Sequence, residues 1–226
     1  MPDSCANCGK PAPDAFCPYC GQKTRLGLPT LPELLSDGLA AVFSYDGKLW
    51  RTLRVLIGQP GALTAEFLAG RRQPYLSPLQ LFVWLQAITF FAHRLWIDSA
   101  NTDRISQLVL ILGGLFWIAL SIVYADRREP VLKHLVTTAH IWSFMMVFLL
   151  VLYGGMPLVL NMLVRLGVET SRLHAGLVMD ISALLVMILY STAALARVYK
   201  LKLPVTILRT LLVSVLTVGP IFIDRL

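Results

Sequence analysis

The sequence has no motif that would mark a catalytic centre. It contains no HExxH motif, no paired carboxylate motif, and only scattered serines and threonines without a matching base. His134 and His140 are six residues apart, which places them on different faces of a helix. We therefore expect no enzyme. The first ten residues also lack the charged segment and apolar core of a signal peptide, so we expect the N-terminus to stay in the cytosol.

Charged residues are scarce, and no cysteine follows residue 20. Only 15% of the chain is charged, 56% is hydrophobic, and the mean hydropathy is +0.67. Such a chain is too apolar for one globular core and fits a polytopic membrane protein. The net charge of +7 would suit nucleic acid, but residues 1–25 carry only three cationic and two acidic residues. We expect no nucleic-acid binding, because that charge is too small to hold phosphates.

Five apolar runs approach the roughly 20 residues that span a bilayer. They predict an all-α polytopic membrane protein with about five transmembrane helices. Ser77 and Pro78 precede the first run, where proline suits the first helical turn. The glycines and proline of 154–157 predict a break, after which 158–166 forms an outer interfacial helix or a kinked extension. The runs cover 79–97, 105–124, 135–153, 175–196 and 205–223.

The cationic residues of the loops predict the topology. Six lie in the loops after the second and fourth runs, whereas the opposite loops carry three. By the positive-inside rule, the richer loops and the N-terminus lie in the cytosol and the C-terminus lies outside. The six are Arg127, Arg128, Lys133, Arg197, Lys200 and Lys202, and the three are Arg104, Arg165 and Arg172.

All four cysteines form two CxxC pairs in the first twenty residues: Cys5 with Cys8 and Cys17 with Cys20. Two such turns present four thiolates, which predicts a structural zinc in a small ribbon over residues 1–25. Two disulfides are the first alternative, disfavoured by the reducing cytosol. Iron is the second, and the spacer of eight residues between the pairs argues against it.

Residues 26–77 form a basic connector with amphipathic patterns too short to cross a bilayer. A capping box at Thr30 and Glu33 predicts a first helix, and a second begins near Lys48 and ends at residues 60–61. A third covers 62–69. Two placements are open, and both can hold together: the helices lie among anionic headgroups with the tryptophan directed into the bilayer, or they pack on the cytosolic ends of the spans. The expected surface residues are Trp50, Arg51, Arg54, Arg71 and Arg72.

The CxxCG and FCxxCGQ patterns, followed by RTLRVLIGQPGALTAEFLAGRRQPYLSPLQLF over 51–82, resemble a known family. This is the bacterial membrane family catalogued as domain of unknown function 3667. The resemblance covers about the first 85 residues, and the later spans match only in hydropathy. It implies a bacterial inner-membrane protein with an N-terminal zinc ribbon, and it implies no activity.

Ionisable residues inside the predicted spans are candidate functional residues. Asp180 on the fourth span and His93 and Arg94 on the first lie at matching depths near the outer end, so we expect Asp180 to face the bundle interior and to pair with one of them. The pair is either structural or part of a polar cavity. Three further residues lie nearer the inner ends and are expected to extend to the cytosolic headgroups: His134, His140 and Arg209.

Two functions fit these features. The first is an interaction or regulatory membrane protein, whose ribbon docks a protein partner and whose bundle anchors it. The alternative is a small lipid- or solute-handling transporter that uses the polar site near the outer face. Anionic lipid headgroups are expected partners in either case, and a second copy of the chain is an additional candidate.

Overall fold

A computed structural model describes residues 4–24, 30, 32, 48–96, 99–166 and 172–223. Within these residues the protein is helical, and the ribbon contributes only two isolated β-bridges, Ser4–Pro11 and Phe16–Lys23. Of the capping box at Thr30 and Glu33 and the helix predicted after it, only Thr30 and Pro32 are described, and the rest lies outside the described residues. Seven α-helices are described: α1 Lys48–Gly58, α2 Ala62–Leu68, α3 Pro78–Trp96, α4 Ser99–Val123, α5 Val131–Arg165, α6 Arg172–Tyr199 and α7 Leu203–Ile223.

Local sequence signals set the helix starts and ends in the connector. Helix α1 begins at Lys48, and α1 and α2 are separated by the turn at 59–61, as predicted. Helix α3 begins at Pro78, where the Ser77 hydroxyl accepts a hydrogen bond of 3.3 Å from the Gln80 amide. This contact satisfies one of the four amides left unpaired at a helix start.

Two helical segments are long and apolar enough to cross a membrane, Val131–Gly155 and Val178–Tyr199. Three shorter apolar segments lie in α3, α4 and α7: Pro78–Ala92, Val109–Val123 and Leu203–Val218. The predicted break at 154–157 is wrong, because α5 continues as one helix to Arg165. A proline removes only one backbone donor, and the helix on both sides supplies the remaining hydrogen bonds. Residues 158–165 are therefore an extension of α5.

The five long helices pack as a bundle, with α3 against α5 and α4 against α7. One end of the bundle is marked by Tyr124 after α4, His134 in α5 and Tyr199 at the end of α6. The rings of Tyr124 and Tyr199 lie 4.2 Å apart, and the His134 Nδ1 atom lies 2.5 Å from the Tyr199 hydroxyl. Because α1 and α2 also pack at this end, we call it the hairpin end.

Polar residues of the bundle are turned inward and apolar residues outward. Buried hydroxyl side chains include Thr137, Ser143, Ser191, Thr206 and Thr210, and several bond to carbonyls of their own helix. Large apolar side chains are exposed on the outer faces of α4, α6 and α7, among them Ile118, Ile122, Leu185, Leu189, Leu208 and Val215. A surface this apolar is unusual for a protein in water.

The three residues expected to extend to headgroups have partners inside the protein instead. His134 contacts Tyr199, and the His140 Nδ1 atom lies 2.9 Å from the Thr64 hydroxyl of α2. Arg209 donates two hydrogen bonds, of 2.8 and 2.7 Å, to the Asp126 carboxylate. The expectation is wrong for the two buried histidines, because Tyr199 of α6 and Thr64 of α2 supply partners that hydropathy does not reveal. Arg209 does extend toward the hairpin end, where its partner Asp126 is exposed.

Candidate metal centre and the helical hairpin beneath it

The ribbon, residues 4–24, consists of two equivalent cysteine turns. In the first, the Cys5 amide donates to the Lys10 carbonyl at 2.8 Å and the Gly9 amide donates to the Cys5 carbonyl at 2.8 Å. The second turn repeats both bonds one cysteine pair later, from the Cys17 amide and from the Gly21 amide. Gly9 and Gly21 have φ angles of 72° and 71°, a left-handed conformation that costs other residues about 1–2 kcal/mol.

The two turns bring the four sulfur atoms together. The Sγ atoms of Cys5 and Cys20 are 3.6 Å apart, those of Cys8 and Cys17 are 3.5 Å apart, and all four lie within 4.8 Å of one another. A tetrahedral zinc with bonds of about 2.3 Å requires sulfurs about 3.8 Å apart. The cysteines are not disulfide-bonded. The donor set therefore fits a metal ion held by four protein sulfurs, with no position open to substrate.

The pKa values of the cysteine thiols show why a bound cation would stabilise the four-cysteine cluster. A hydrogen bond from the Gln22 backbone lowers the pKa of the Cys20 thiol to about 7. The Lys10 backbone favours the Cys8 thiolate in the same way, but desolvation and the three neighbouring sulfurs outweigh it and raise the pKa of Cys8 to about 11. Four adjacent thiolates repel one another. A divalent cation at their centre removes this repulsion, which is how metal binding drives the folding of small four-cysteine domains.

Gln22, directly after the second cysteine turn, clamps the ribbon to the segment that follows α2. Its amide nitrogen donates to the Gly70 carbonyl at 2.8 Å. Its amide oxygen accepts from the backbone amides of Arg72 at 3.0 Å and Gln73 at 3.1 Å. The side chain is only 4% exposed, so these three bonds replace its contacts with water. We call this set of contacts the Gln22 clamp.

The Gln22 clamp is formed by hydrogen bonds to the backbone directly after the C-terminus of α2. Gly70 has a φ of 85°, and its amide donates to the Phe67 carbonyl at 3.1 Å while the Arg71 amide donates to the Glu66 carbonyl at 2.9 Å. This pair of bonds is a Schellman motif, which closes a helix with a left-handed glycine. The glycine turn leaves the Gly70 carbonyl available to Gln22.

Helices α1 and α2 with the turn 59–61 form a helical hairpin that inserts into the bundle. The Tyr190 hydroxyl donates to the Leu56 carbonyl at 2.7 Å. This carbonyl would otherwise bond to the amide of residue 60, which is a proline and has none. Tyr190 lies nine residues before Tyr199 on α6, or roughly 13 Å along the helix from the hairpin end. The hairpin therefore reaches well into the bundle.

Three further contacts hold the hairpin. The buried Thr64 hydroxyl lies against His140 of α5, and the buried Thr52 hydroxyl accepts from the Leu76 amide at 3.1 Å. Leu56 is 1% exposed, and it joins the main apolar core with Leu63. Packing against the ends of the helices, one of the two placements left open by the sequence, is therefore observed, and the placement among headgroups stays a prediction.

Gly61 lies at the tip of the hairpin, directly against the backbone of α6. Its φ is 74°, and a Cβ atom added there would lie 2.7 Å from the Ala194 carbonyl oxygen and 2.9 Å from the Ala194 Cα atom. Neither contact can be relieved by a side-chain rotation, since both atoms belong to the main chain. Only glycine fits this position without moving the hairpin.

The predicted surface residues are divided between two places. Trp50, Arg51 and Arg54 share the face of α1 that points away from the bundle, and Trp50 is 69% exposed. Arg71 pairs with Glu66, which raises the pKa of the Arg71 guanidinium and lowers the pKa of the Glu66 carboxyl. Arg72 lies 4.4 Å over the Phe67 ring. Their contact with anionic lipid stays a prediction.

The predicted polar site near the opposite end is only partly described. The expectation that Asp180 faces the bundle interior is wrong: Asp180 is exposed on α6, where it accepts a hydrogen bond of 3.2 Å from the Tyr153 hydroxyl of α5. The side chains of His93 and Arg94 lie outside the described residues. The pairing of Asp180 with either of them therefore stays a prediction, and Tyr153 is an additional member of the site that the sequence did not suggest.

Sequence reasoning also missed the residues that connect ribbon, hairpin and bundle. Gln22 stands in the FCxxCGQ pattern, directly after the glycine of the second turn, and this position was the available signal. Thr64 and Tyr190 gave no signal, because their partners lie 76 and 134 residues away along the chain.

The family resemblance is confirmed over part of the chain. The model of the family described as protein of unknown function (DUF3667) matches residues 46–90. This range contains the whole hairpin, the segment held by Gln22 and most of α3, whereas the four cysteines lie outside it. No curated protein and no solved structure matches the chain.

Proposed function

We propose that this chain is a multi-pass protein of a bacterial inner membrane that acts as an interaction or regulatory module with a structural zinc. In this proposal α3 to α7 are five transmembrane helices. The ribbon and the hairpin lie at the cytosolic end, and the C-terminus lies outside. Residues 1–25, 26–77 and 78–226 form the ribbon, the connector and the membrane domain.

The bundle buries polar side chains and exposes large apolar ones, and this arrangement supports the membrane location of all five helices. Buried hydroxyls and exposed large apolar residues are the arrangement expected where lipid replaces water as the solvent. The contacts of Arg209 with Asp126 and of Lys133 with the Tyr199 ring bring the loops after α4 and α6 to the hairpin end. These loops carry the six cationic residues of the inner loops, which supports a cytosolic hairpin end by the positive-inside rule.

The Gln22 clamp is the observation that carries the regulatory part of the proposal. A metal centre that only folded the ribbon would not need a buried side chain with three hydrogen bonds to a different segment. Through Gln22, the backbone that follows Cys20 is tied directly to the end of α2. Binding or loss of the metal would therefore change how firmly the hairpin is held in the bundle.

The ribbon also offers a surface for a protein partner. Phe16 and Tyr19 are 56% and 61% exposed, on the turn that carries Cys17 and Cys20, and the Lys10 ammonium lies 4.4 Å from the Tyr19 ring centroid. Exposed aromatic residues are enriched at protein interfaces, where tyrosine often contributes much of the binding energy. Such a partner would bind at the metal centre and act on the hairpin through the clamp.

The alternative function, lipid or solute handling at the outer end, has one supporting observation. Asp180 and Tyr153 form a polar pair on two neighbouring helices whose other exposed residues are mainly apolar. An exposed acidic residue at membrane depth is costly unless it serves a pathway or a partner. Loss of function in an Asp180→Asn variant whose thermal stability is unchanged would favour this alternative.

Metal content and topology test the proposal together. We expect about one zinc per purified chain, and loss of the metal in a Cys17→Ser, Cys20→Ser variant. Reporter fusions should place Lys10 and Arg128 in the cytosol and Arg165 outside. Full zinc content in the double variant would contradict the metal assignment, and a cytosolic reporter at Arg165 would contradict the five-span arrangement.

A further inference from the structure

A cavity of about 260 Å³ lies between α3, α4 and α5. Its walls are almost entirely apolar and include Leu79 and Phe82 of α3 and Trp142 of α5. Helix α4 contributes two adjacent glycines, Gly113 and Gly114. A Cβ atom at Gly113 would lie 3.8 Å from the Trp142 ring, and one at Gly114 would meet no atom within 4 Å. The missing side chains create the space.

The cavity is open toward the outer surface of the helices. Leu110 and Gly114 line it, and both are exposed, Leu110 by 50%. In the membrane location proposed above, this side faces the acyl chains of the bilayer. A lipid chain can therefore enter the cavity sideways, without passing through water.

Three residues of the cavity wall carry buried polar atoms without a hydrogen-bond partner in the described part of the chain. They are the indole nitrogens of Trp117 and Trp142 and the hydroxyl of Thr138. An unpaired buried polar group typically costs about 1–3 kcal/mol. Because these atoms have no surface open to the empty cavity, the wall that a ligand meets is apolar, as the methylenes of an acyl chain require.

Cationic side chains lie close to the end of the cavity nearest the hairpin. Phe67 packs with Val136, Leu79 and Leu135, all three of which line the cavity. The Arg72 guanidinium lies 4.4 Å from the centroid of the Phe67 ring, and Arg71 precedes it in the chain. Arg71 is paired with Glu66, so these three side chains together carry one net positive charge, which attracts an anionic headgroup more strongly than a zwitterionic one.

We propose that this cavity binds one acyl chain of an anionic phospholipid from the inner leaflet, whose headgroup lies near Arg71 and Arg72. The volume is suitable, since an apolar cavity of about 150 Å³ is known to hold benzene, so 260 Å³ accommodates about ten chain carbons. The proposal rests on the membrane location of α3 to α5, which the reporter fusions described above test separately.

Binding is tested by native mass spectrometry of the full-length protein in detergent. The probes are dipalmitoyl phosphatidylglycerol, phosphatidylcholine with the same chains, and glycerol phosphate as a headgroup without chains. We expect phosphatidylglycerol to be retained most strongly, phosphatidylcholine more weakly, and glycerol phosphate not at all. Retention of glycerol phosphate as strong as that of phosphatidylglycerol would overturn the acyl-chain site.

A Gly114→Leu variant fills the cavity from its open side, and Gly155→Leu is the matched control. Gly155 is also a helical glycine with no atom within 4 Å of an added Cβ, and it lies away from the cavity. We expect Gly114→Leu to weaken phosphatidylglycerol binding about tenfold, the loss expected from displacing about two buried methylenes. Gly155→Leu should bind as the wild type does. Equal binding by both variants would overturn the proposal.

Photo-crosslinking of the wild-type protein provides a readout that needs no variant. Phosphatidylglycerol with a diazirine in its acyl chain should label peptides that contain Leu110 or Thr138. Labels confined to the outer faces of α6 and α7 would place the lipid elsewhere and contradict the assignment, even if reporter fusions support five spans.

Discussion

Replacing Gly61 by alanine should displace the hairpin from the bundle. The added Cβ atom would lie 2.7 Å from the Ala194 carbonyl oxygen, whereas non-bonded carbon contacts are favourable at about 3.5–4.0 Å. The hairpin tip must therefore retreat by several tenths of an ångström, and the Tyr190 bond to the Leu56 carbonyl lies one turn away from it.

Two contributions set the magnitude of the Gly61→Ala effect. A left-handed φ in an alanine costs about 1–2 kcal/mol, and overpacking against a fixed backbone costs about 1–3 kcal/mol. We expect a loss of about 2–5 kcal/mol in the free energy of unfolding. The matched control is Gly58→Ala, since Gly58 is helical and has no atom within 4 Å of an added Cβ. This control should be neutral or slightly stabilising.

Thermal unfolding in detergent measures the overall effect, and hydrogen exchange of the α1 amides measures the displacement of the hairpin. Gly61→Ala should lower the unfolding temperature and speed exchange in α1, whereas Gly58→Ala should do neither. If the two alanine variants behave alike, the close approach of the hairpin tip to α6 is refuted.

Other contacts give further predictions. Tyr190→Phe leaves the buried Leu56 carbonyl without its donor, and a loss of about 1–3 kcal/mol in unfolding free energy is expected; an unchanged value would contradict the contact. Thr64→Val should have a similar effect by removing the partner of His140. The hydrogen bonds from Arg209 lower the pKa of Asp126 below its ordinary 3.8. The stabilisation is therefore present at neutral pH and lost as the pH falls below about 4, so Asp126→Asn should flatten the acid limb of the unfolding profile. A peptide covering residues 46–78 should bind anionic vesicles more strongly than neutral ones, and both added salt and replacement of Arg51 and Arg54 by glutamine should weaken that binding; equal binding to both kinds of vesicle would favour packing on the bundle instead.

Features of the chain that depend on neighbouring residues were predictable from the sequence. The starts of α1 and α3 and the turn at 59–61 follow from proline and glycine, whose backbone preferences act within one or two residues. The four-cysteine cluster is equally local, because each CxxC pair forms one turn and the spacer between the pairs is short. The glycine after each pair has the left-handed conformation that the pattern predicts.

Features that depend on contacts distant in the sequence were not predictable. The amphipathic pattern of α1 shows that one face is apolar, but lipid and a helix bundle satisfy such a face equally well. The insertion of the hairpin depends on Leu56, Thr64 and Gly61, whose partners lie on α5 and α6. Likewise, the sequence shows Arg209 only as a single cation in an apolar run. The fold brings it to Asp126, which lies 83 residues away along the chain. The helix through 154–157 shows that a glycine-proline signal is overridden when the flanking turns are strongly helical.

The connection between metal and hairpin is tested most directly by hydrogen exchange at the amides of Arg72 and Gln73, both of which donate to Gln22. Exchange is measured with bound metal and after chelation, in the wild type and in Gln22→Ala, with Gln59→Ala at the exposed hairpin tip as the control. We predict that chelation speeds exchange in the wild type and in Gln59→Ala, and that Gln22→Ala exchanges fast whether or not metal is bound. Slow exchange in the chelated wild type, or in Gln22→Ala with bound metal, would contradict a clamp that links the metal centre to the membrane domain.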